Sequence, residues 1–377
     1  MNRILITGGA GFIGSHLALR LLKSNYRVAI LDSLSPQIHG KSPEQSALYR
    51  SIEGKVDFVR GDVTSKRDLE SIVPGHDTIV HFAAETGTGQ SMYQIDRYTQ
   101  VNVGGTSLLL DILANEKNDV KRLVVASSRA VYGEGKYISK EFGVVYPSHR
   151  SASDMAAGDF AVKYPGCREP LILAATDEGS KLHPSSVYGI TKQAQEQLVM
   201  TVCPSINVAP VVLRFQNVYG PGQSLTNPYT GILSIFSNLI MRNQPINVFE
   251  DGTESRDFIF VEDAVEAAML AIERPEAEGE IFNVGTGEAT SVLTVANALL
   301  DKLRGHSTVT VTGNFRIGDV RHNYADLEKI KKKLGFSAVY NFDSGLSRFC
   351  TWVQSAGSAS NDYERSLQEM KAKGLFK

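Results

Sequence analysis

Apolar residues in the first half of the chain come in short unbroken runs: Ile4-Leu5-Ile6, Val28-Ala29-Ile30-Leu31, Thr78-Ile79-Val80 and Leu123-Val124-Val125-Ala126. Such runs read as strands covered on both faces, the pattern of a parallel sheet. Stretches of helical spacing separate them, as in Leu17, Leu21 and Leu22, or in Leu108, Leu109, Ile112 and Leu113. Strand and helix in alternation predict an α/β fold, a doubly wound parallel (Rossmann) sheet with its ligand at the carboxyl ends of the strands. Residues 1–212 are expected to form this domain. Periodicity lapses between 134 and 180, which predicts a loop-rich insert. Residues 213–355 are less regular and read as a smaller mixed α/β lobe, with part of 255–275 returning to the first domain. The stretch 356–377 is polar and expected to be a helical, weakly anchored tail.

The first strand runs into Thr7-Gly8-Gly9-Ala10-Gly11-Phe12-Ile13-Gly14 and then a helix. Gly8 allows a tight turn, Gly11 a close approach of backbone to a pyrophosphate, and Gly14 close packing of helix on strand. The helix N-terminus supplies amides and partial positive charge. The second strand ends in Asp32, placed to read a ribose 2′-hydroxyl and repel a 2′-phosphate, which favours NAD over NADP. Asp62-Val63, after a third strand, suits the adenine or a simple turn, and the two roles are compatible. Phe82-Ala83-Ala84 ends a strand beneath the cofactor. His81 is expected to be packed in the sheet.

A formal charge of −2 leaves no basic footprint for nucleic acid. Cys167, Cys203 and Cys350 are far apart in sequence, without a Cys-x-x-Cys pair, which argues against disulfides and a zinc site. No apolar run reaches the roughly 18 residues of a membrane span. The protein is therefore expected to be cytoplasmic, with neither metal nor membrane partner.

The fifth strand delivers Ser127-Ser128, and a later helix opens with Tyr188-x-x-x-Lys192, one turn apart on one face. A lysine ammonium beside a phenol favours tyrosinate, giving a general base, and Ser128 can bond the same substrate oxygen. With a nicotinamide to accept hydride, this set oxidises an alcohol to a ketone.

These motifs resemble the extended short-chain dehydrogenase/reductase family, specifically its sugar-nucleotide epimerases and dehydratases. The resemblance also covers Asn102-Val103-Gly104-Gly105-Thr106, Arg214-Phe215-Gln216-Asn217-Val218-Tyr219-Gly220-Pro221, Arg256-Asp257-Phe258-Ile259 and Gly318-Asp319-Val320-Arg321. It implies NAD bound by Gly8, Gly11, Phe12, Ile13, Gly14, Asp32, Asp62, Val63, Phe82, Ala83, Ala84, Tyr188 and Lys192. Tyr188 would be the base, Lys192 would hold the nicotinamide ribose and tune Tyr188, and Ser128 would aid proton transfer. Substrate contacts would come from Glu85, Thr86, Ser128, Arg129, Asn217, Arg256 and Arg321, the diphosphate being met by Asn217, Arg256 and Arg321. A homodimer is implied too, through a four-helix seam of the helices near 93–115 and 187–202.

The similar 4,6-dehydratases carry Thr-Asp-Glu where this chain has Ser128-Arg129-Ala130, so the carboxylates that eliminate water are missing. Glucuronate decarboxylases have a Glu at Ala130. Oxidation and re-reduction remain, which is 4-epimerisation of a nucleotide-activated hexose. Glu85-Thr86, Ser127 to Gly133 and the long insert resemble the dTDP-L-rhamnose 4-epimerases, which interconvert dTDP-L-rhamnose and dTDP-6-deoxy-L-talose. The insert is then expected to cover or line the hexose pocket. A UDP-sugar 4-epimerase, or a net nucleotide-sugar oxidoreductase or reductase, is the alternative.

Overall fold

The computed structural model describes residues 3–229, 231–357 and 363–377. Its centre is a seven-stranded sheet built from β1 (Arg3–Thr7), β2 (Arg27–Asp32), β3 (Asp57–Arg60), β4 (Thr78–His81), β5 (Arg122–Ser128), β6 (Ala209–Phe215) and β7 (Glu280–Val284). The order across the sheet is β7-β6-β5-β4-β1-β2-β3, and every pairing is parallel. The strand direction reverses its progress at β1 and β4, which opens a crevice at their carboxyl ends.

Period-two geometry explains the unbroken apolar runs. Ile4, Ile6, Val28 and Ile30 face one side, against α1 (Phe12–Lys23) and a later helix, Val261–Glu273. Leu5, Ala29, Leu31 and Ile79 face the other side, against Lys66–Ile72, Gly105–Asn115 and Val187–Ser205. We number these helices in chain order: α2 (Lys66–Ile72), α3 (Gly105–Asn115), α4 (Val187–Ser205), α5 (Ile232–Met241), α6 (Val261–Glu273), α7 (Val292–Leu303), α8 (Phe342–Ala356) and α9 (Tyr363–Ala372). The smaller lobe has its own core, in which Phe236, Val295, Leu299, Leu346 and Phe349 from α5, α7 and α8 pack with Ile246, Val248 and Tyr219.

The expected boundary at 212/213 falls within β6, and β7 comes from the stretch expected for the second lobe. Helix α6 packs on the large sheet. The insert contains a small antiparallel sheet of Tyr137–Ser139, Gly143–Val145 and Ile172–Leu173, and a short helix, Ala152–Ala156. The long helix read from about Tyr93 to Asn115 is interrupted by a π-helical stretch, Thr99–Gly104. Its buried Asn102 accepts from the Glu85 amide (2.8 Å) and donates to Glu85 O (3.1 Å) and Thr191 Oγ1 (3.0 Å). The irregular turn thus fixes the start of the loop after β4. Among the described residues, no helix is long and apolar enough to cross a membrane.

The tail is better anchored than its polar composition implies. Met370 is 3% exposed, and the last residues pair with 315–317 through Phe315 N to Lys377 O (2.8 Å), Lys377 N to Phe315 O (3.0 Å) and Ile317 N to Leu375 O (2.9 Å).

Candidate active site

At the carboxyl end of β1 the chain turns at Gly8, whose φ is +71°. A Cβ there would lie 2.6 Å from the Ala83 amide nitrogen, and one at Gly14 would lie 2.4 Å from Gly8 O. Only glycine permits this crossing of the loop over β4, and it leaves the N-terminus of α1 facing the crevice. Asp32 accepts from the amides of Ala10 (2.9 Å) and Leu34 (2.8 Å). Its lone pairs are not exhausted by two donors.

A cleft of about 750 Å³ runs along these ends, and Gly8, Gly11, Phe12, Ile13, Gly14, Asp32, Asp62, Val63, Phe82, Ala83, Ala84, Tyr188 and Lys192 all line it. Such a glycine cradle, with a carboxylate at the end of β2, fits a dinucleotide. Asp62 is also a turn former, accepting from the Thr64 amide (2.9 Å) and hydroxyl (2.8 Å). His81 is buried between Thr7 Oγ1 (2.7 Å) and Thr106 Oγ1 (3.0 Å), and burial pushes its pKa down to about 3, so it stays neutral.

Ser128 closes β5, and α4 begins beside it because Ser186 caps its N-terminus through the Gly189 amide (3.1 Å). The Tyr188 amide donates to Ser91 Oγ (3.0 Å), which ties α4 to the loop after β4. Ser128 Oγ accepts from the Ala130 amide (3.2 Å) and lines the cleft together with Tyr188. Burial pushes the Tyr188 phenol above its ordinary value, while Ser128 and the Arg129 charge pull it down. Lys192, expected to tune the phenol, lies one turn along α4. Its Nζ is 5.9 Å from the Tyr188 ring centre and donates to Ala126 O (2.8 Å). Burial also brings Lys192 itself down to about 7, so it is only part charged at neutral pH.

Behind Ser128 lies a buried ion pair. Arg214 donates from Nε and Nη2 to the two oxygens of Glu196 at 2.9 and 2.7 Å, and Ser127 donates to the same carboxylate. Both charged side chains are nearly inaccessible, at 2% and 3%. Strands β5 and β6 pair Ser127 with Arg214, so this pair braces the strand end that carries Ser128.

A second cavity of about 190 Å³ shares Gly87, Thr88, Arg129, Asn217, Tyr229 and Gly231 with the cleft. Its cations are Arg129, Arg256 and Arg316. Arg129 Nε donates to Asn217 Oδ1 (2.7 Å), and burial, then the neighbouring Arg256, brings Arg129 down to about 9. Arg256 is held by the carbonyls of Ser255, Val320 and Arg321 at 2.8, 2.7 and 3.0 Å. Glu250, Glu254 and Asp319 also line the cavity, but Glu250 is taken by Arg150 and Arg321, and Asp319 pairs with Arg316 (3.0 Å). This leaves Arg129 and Arg256 as desolvated guanidinium groups without an ion pair among the described residues, a setting that suits an anion.

Glu85 and Thr86 line the cleft. Glu85 is ion-paired to Arg97 (2.6 Å), and the Thr86 carbonyl accepts from Tyr98 (2.5 Å). Arg321 lines neither space. Its guanidinium is buried against Glu250 (2.7 Å), Asp251 (2.6 Å) and Thr253 (2.7 Å), which commits it to the framework. Arg316, five residues earlier, lines the cavity instead, paired there with Asp319 (3.0 Å). The insert differs from expectation in the same way. No described residue of 134–180 lines either space; Arg150 reaches the back of Glu250 with a two-pronged contact (2.7 and 2.9 Å). Tyr229, Glu254, Tyr363 and Met370 line the cavity without any motif to announce them.

The model of the NAD dependent epimerase/dehydratase family matches residues 4–152 and 162–285. The dTDP-L-rhamnose 4-epimerase of Burkholderia thailandensis is 36% identical over 354 residues, which cover 93% of this chain and 95% of that protein. The UDP-glucose 4-epimerase of Thermotoga maritima, solved with UDP-glucose, superposes with a TM-score of 0.75 at 27% identity, covering 94% and 99% of the two chains. The UDP-glucose 4-epimerase of Thermus thermophilus, solved with NAD, gives 0.74 at 26% identity, with the same coverage.

Proposed function

Since the chain belongs to the NAD dependent epimerase/dehydratase family, we propose that it is a 4-epimerase of dTDP-L-rhamnose, yielding dTDP-6-deoxy-L-talose. The observation that carries the reaction type is the neighbourhood of Tyr188. The Ser128 hydroxyl and the Arg129 guanidinium pull its phenol down, Lys192 Nζ lies 5.9 Å from its ring centre, and Ala130 stands where a decarboxylase or dehydratase needs an acid. A proton can be taken from a sugar hydroxyl and given back, but no placed carboxylate can expel water.

NAD, held by the glycine loop and Asp32, supplies the hydride acceptor and donor. Tyr188 accepts the C4 hydroxyl proton in the first half-reaction and returns it in the second, with Ser128 hydrogen-bonded to the same oxygen. Lys192, which lines the cleft, would hold the ribose of the dinucleotide. Arg129, Arg256, Arg316 and Asn217 hold the diphosphate while the 4-keto sugar turns its other face. Fixing the diphosphate and freeing the sugar is what separates epimerisation from release of a ketone.

The choice of sugar is supported by the identity to the Burkholderia thailandensis enzyme over nearly the whole length. The test is incubation with dTDP-L-rhamnose and NMR of the C4 proton. Appearance of the talo configuration without added NAD is expected; no product there, with rapid conversion of UDP-glucose, would replace this sugar assignment by a UDP-sugar 4-epimerase. The oligomer we propose is a homodimer through the face carrying Ile95 and Ile190, each 55% exposed. Light scattering would decide it, a monomer at micromolar concentration being the contrary result.

A further inference from the structure

The segment 363–377 bridges the two lobes across the arginine-lined cavity. On one side Glu369 accepts from Tyr229 (2.9 Å) and Tyr93 (3.4 Å), and the two phenols lie 2.7 Å apart. Lys373 Nζ sits 5.4 Å over the Tyr93 ring. On the other side the backbone pairing of 375–377 flanks Arg316, and Phe376 packs on Phe249 with ring centres 5.1 Å apart. The Arg316 guanidinium lies 5.2 Å over that same Phe249 ring. Between these two anchors, Tyr363 and Met370 line the cavity itself.

A polar surface helix needs neither a pair of anchors on opposite lobes nor two side chains turned into a charged cavity. We propose that residues 363–377 form a strap that is part of the nucleotide-sugar site. Tyr363 and Met370 touch the bound nucleotide sugar, while Glu369 and the pairing at 315–317 hold them, and Arg316, in place. The inference rests on the cavity being the substrate's, as proposed above. A strap tied to both lobes at the nucleotide end has a use in this chemistry. It keeps the nucleotide enclosed while the sugar turns, so the ketone is reduced again before it can leave.

The experiment titrates dTDP and UDP separately into NAD-loaded protein by calorimetry, with bound NAD measured in denatured samples. Protein ending at Gly357 should keep its NAD, since no strap residue lines the dinucleotide cleft, and should bind the nucleoside diphosphate about tenfold or more weakly. Met370→Ala and Tyr363→Ala in the full chain should each weaken it several-fold and leave bound NAD unchanged. Should the shortened protein lose its NAD and so its fold, the two point variants decide alone. Wild-type affinity in both point variants would overturn the strap. Wild-type protein that binds neither nucleotide would overturn both the strap and the cavity assignment. Normal nucleotide binding without conversion of dTDP-L-rhamnose would sink the sugar assignment alone.

Discussion

Arg129 should be a liability to the nucleotide-free protein, and Arg129→Met should therefore raise stability while lowering nucleotide affinity. The guanidinium is buried beside Arg256, and these two causes bring it from the ordinary arginine value down to about 9. Keeping that charge at neutral pH costs at most about 5 kcal/mol, taking about 1.4 kcal/mol per tenfold. The variant keeps the length of the side chain but strips Asn217 Oδ1 of its 2.7 Å donor, which costs about 1–3 kcal/mol. The balance is a gain of about 2 kcal/mol, or several degrees in Tm. The sign follows from linkage: a base whose folded pKa lies below its unfolded value disfavours folding below about 9, and the penalty fades as pH rises from there toward the ordinary arginine value. The variant's advantage is thus full at neutral pH and shrinks above about 9. Thermal denaturation of NAD-saturated protein, with and without dTDP, measures it. The nucleotide should raise the wild-type Tm more than that of the variant, because its diphosphate neutralises what the mutation removes. A variant that melts below wild type without nucleotide, or equal shifts for both proteins, would refute the reasoning.

Purified protein should release NAD on denaturation, and NADP should not restore activity to stripped protein, because Asp32 meets a 2′-phosphate; activity restored by NADP alone is the contrary result. Tyr188→Phe should lower kcat by roughly a hundredfold or more with nucleotide affinity nearly intact, and because burial holds the phenol high, the first half-reaction in wild type should speed up as pH rises above neutral. Gly14→Ala should abolish NAD retention, since its Cβ would lie 2.4 Å from Gly8 O; retained NAD would show that the loop can yield. Arg321→Met should cost about 3 kcal/mol of stability in denaturant yet leave dTDP affinity close to wild type, whereas a lost affinity with unchanged stability would return Arg321 to the substrate.

The strands and the dinucleotide cradle were legible because their signals are local: an apolar run, a glycine at a fixed step, a carboxylate at a strand end. That Ser128, Tyr188 and Lys192 would meet in one cleft was legible for the same reason. Arg316 and Arg321 were not, since both sit in one run of the form Arg-Ile-Gly-Asp-Val-Arg. What separates them is where Glu250 and Asp251 lie in space, and those residues are about 70 positions away in sequence. The desolvation around Tyr188 and Lys192 was not legible, because burial cannot be read from helical spacing: it raises the phenol and lowers the lysine. The tail looked weakly held because its anchors are few, Met370, Leu375 and Phe376 among polar neighbours, and much of its attachment is backbone pairing.

The pair Arg214 and Glu196 constrains how this protein can change over generations. Loss of either partner strands a charge in a dry interior at about 3–5 kcal/mol, a large share of the about 5–15 kcal/mol that keeps a typical protein folded. Exchange of both for apolar residues of matching volume is close to neutral. A lineage can cross from one solution to the other only through a disfavoured single mutant, so the two codons should be inherited together or replaced together. A saturation library would then find two intolerant positions, each rescued by substitutions at the other, directly behind the strand end that presents the serine.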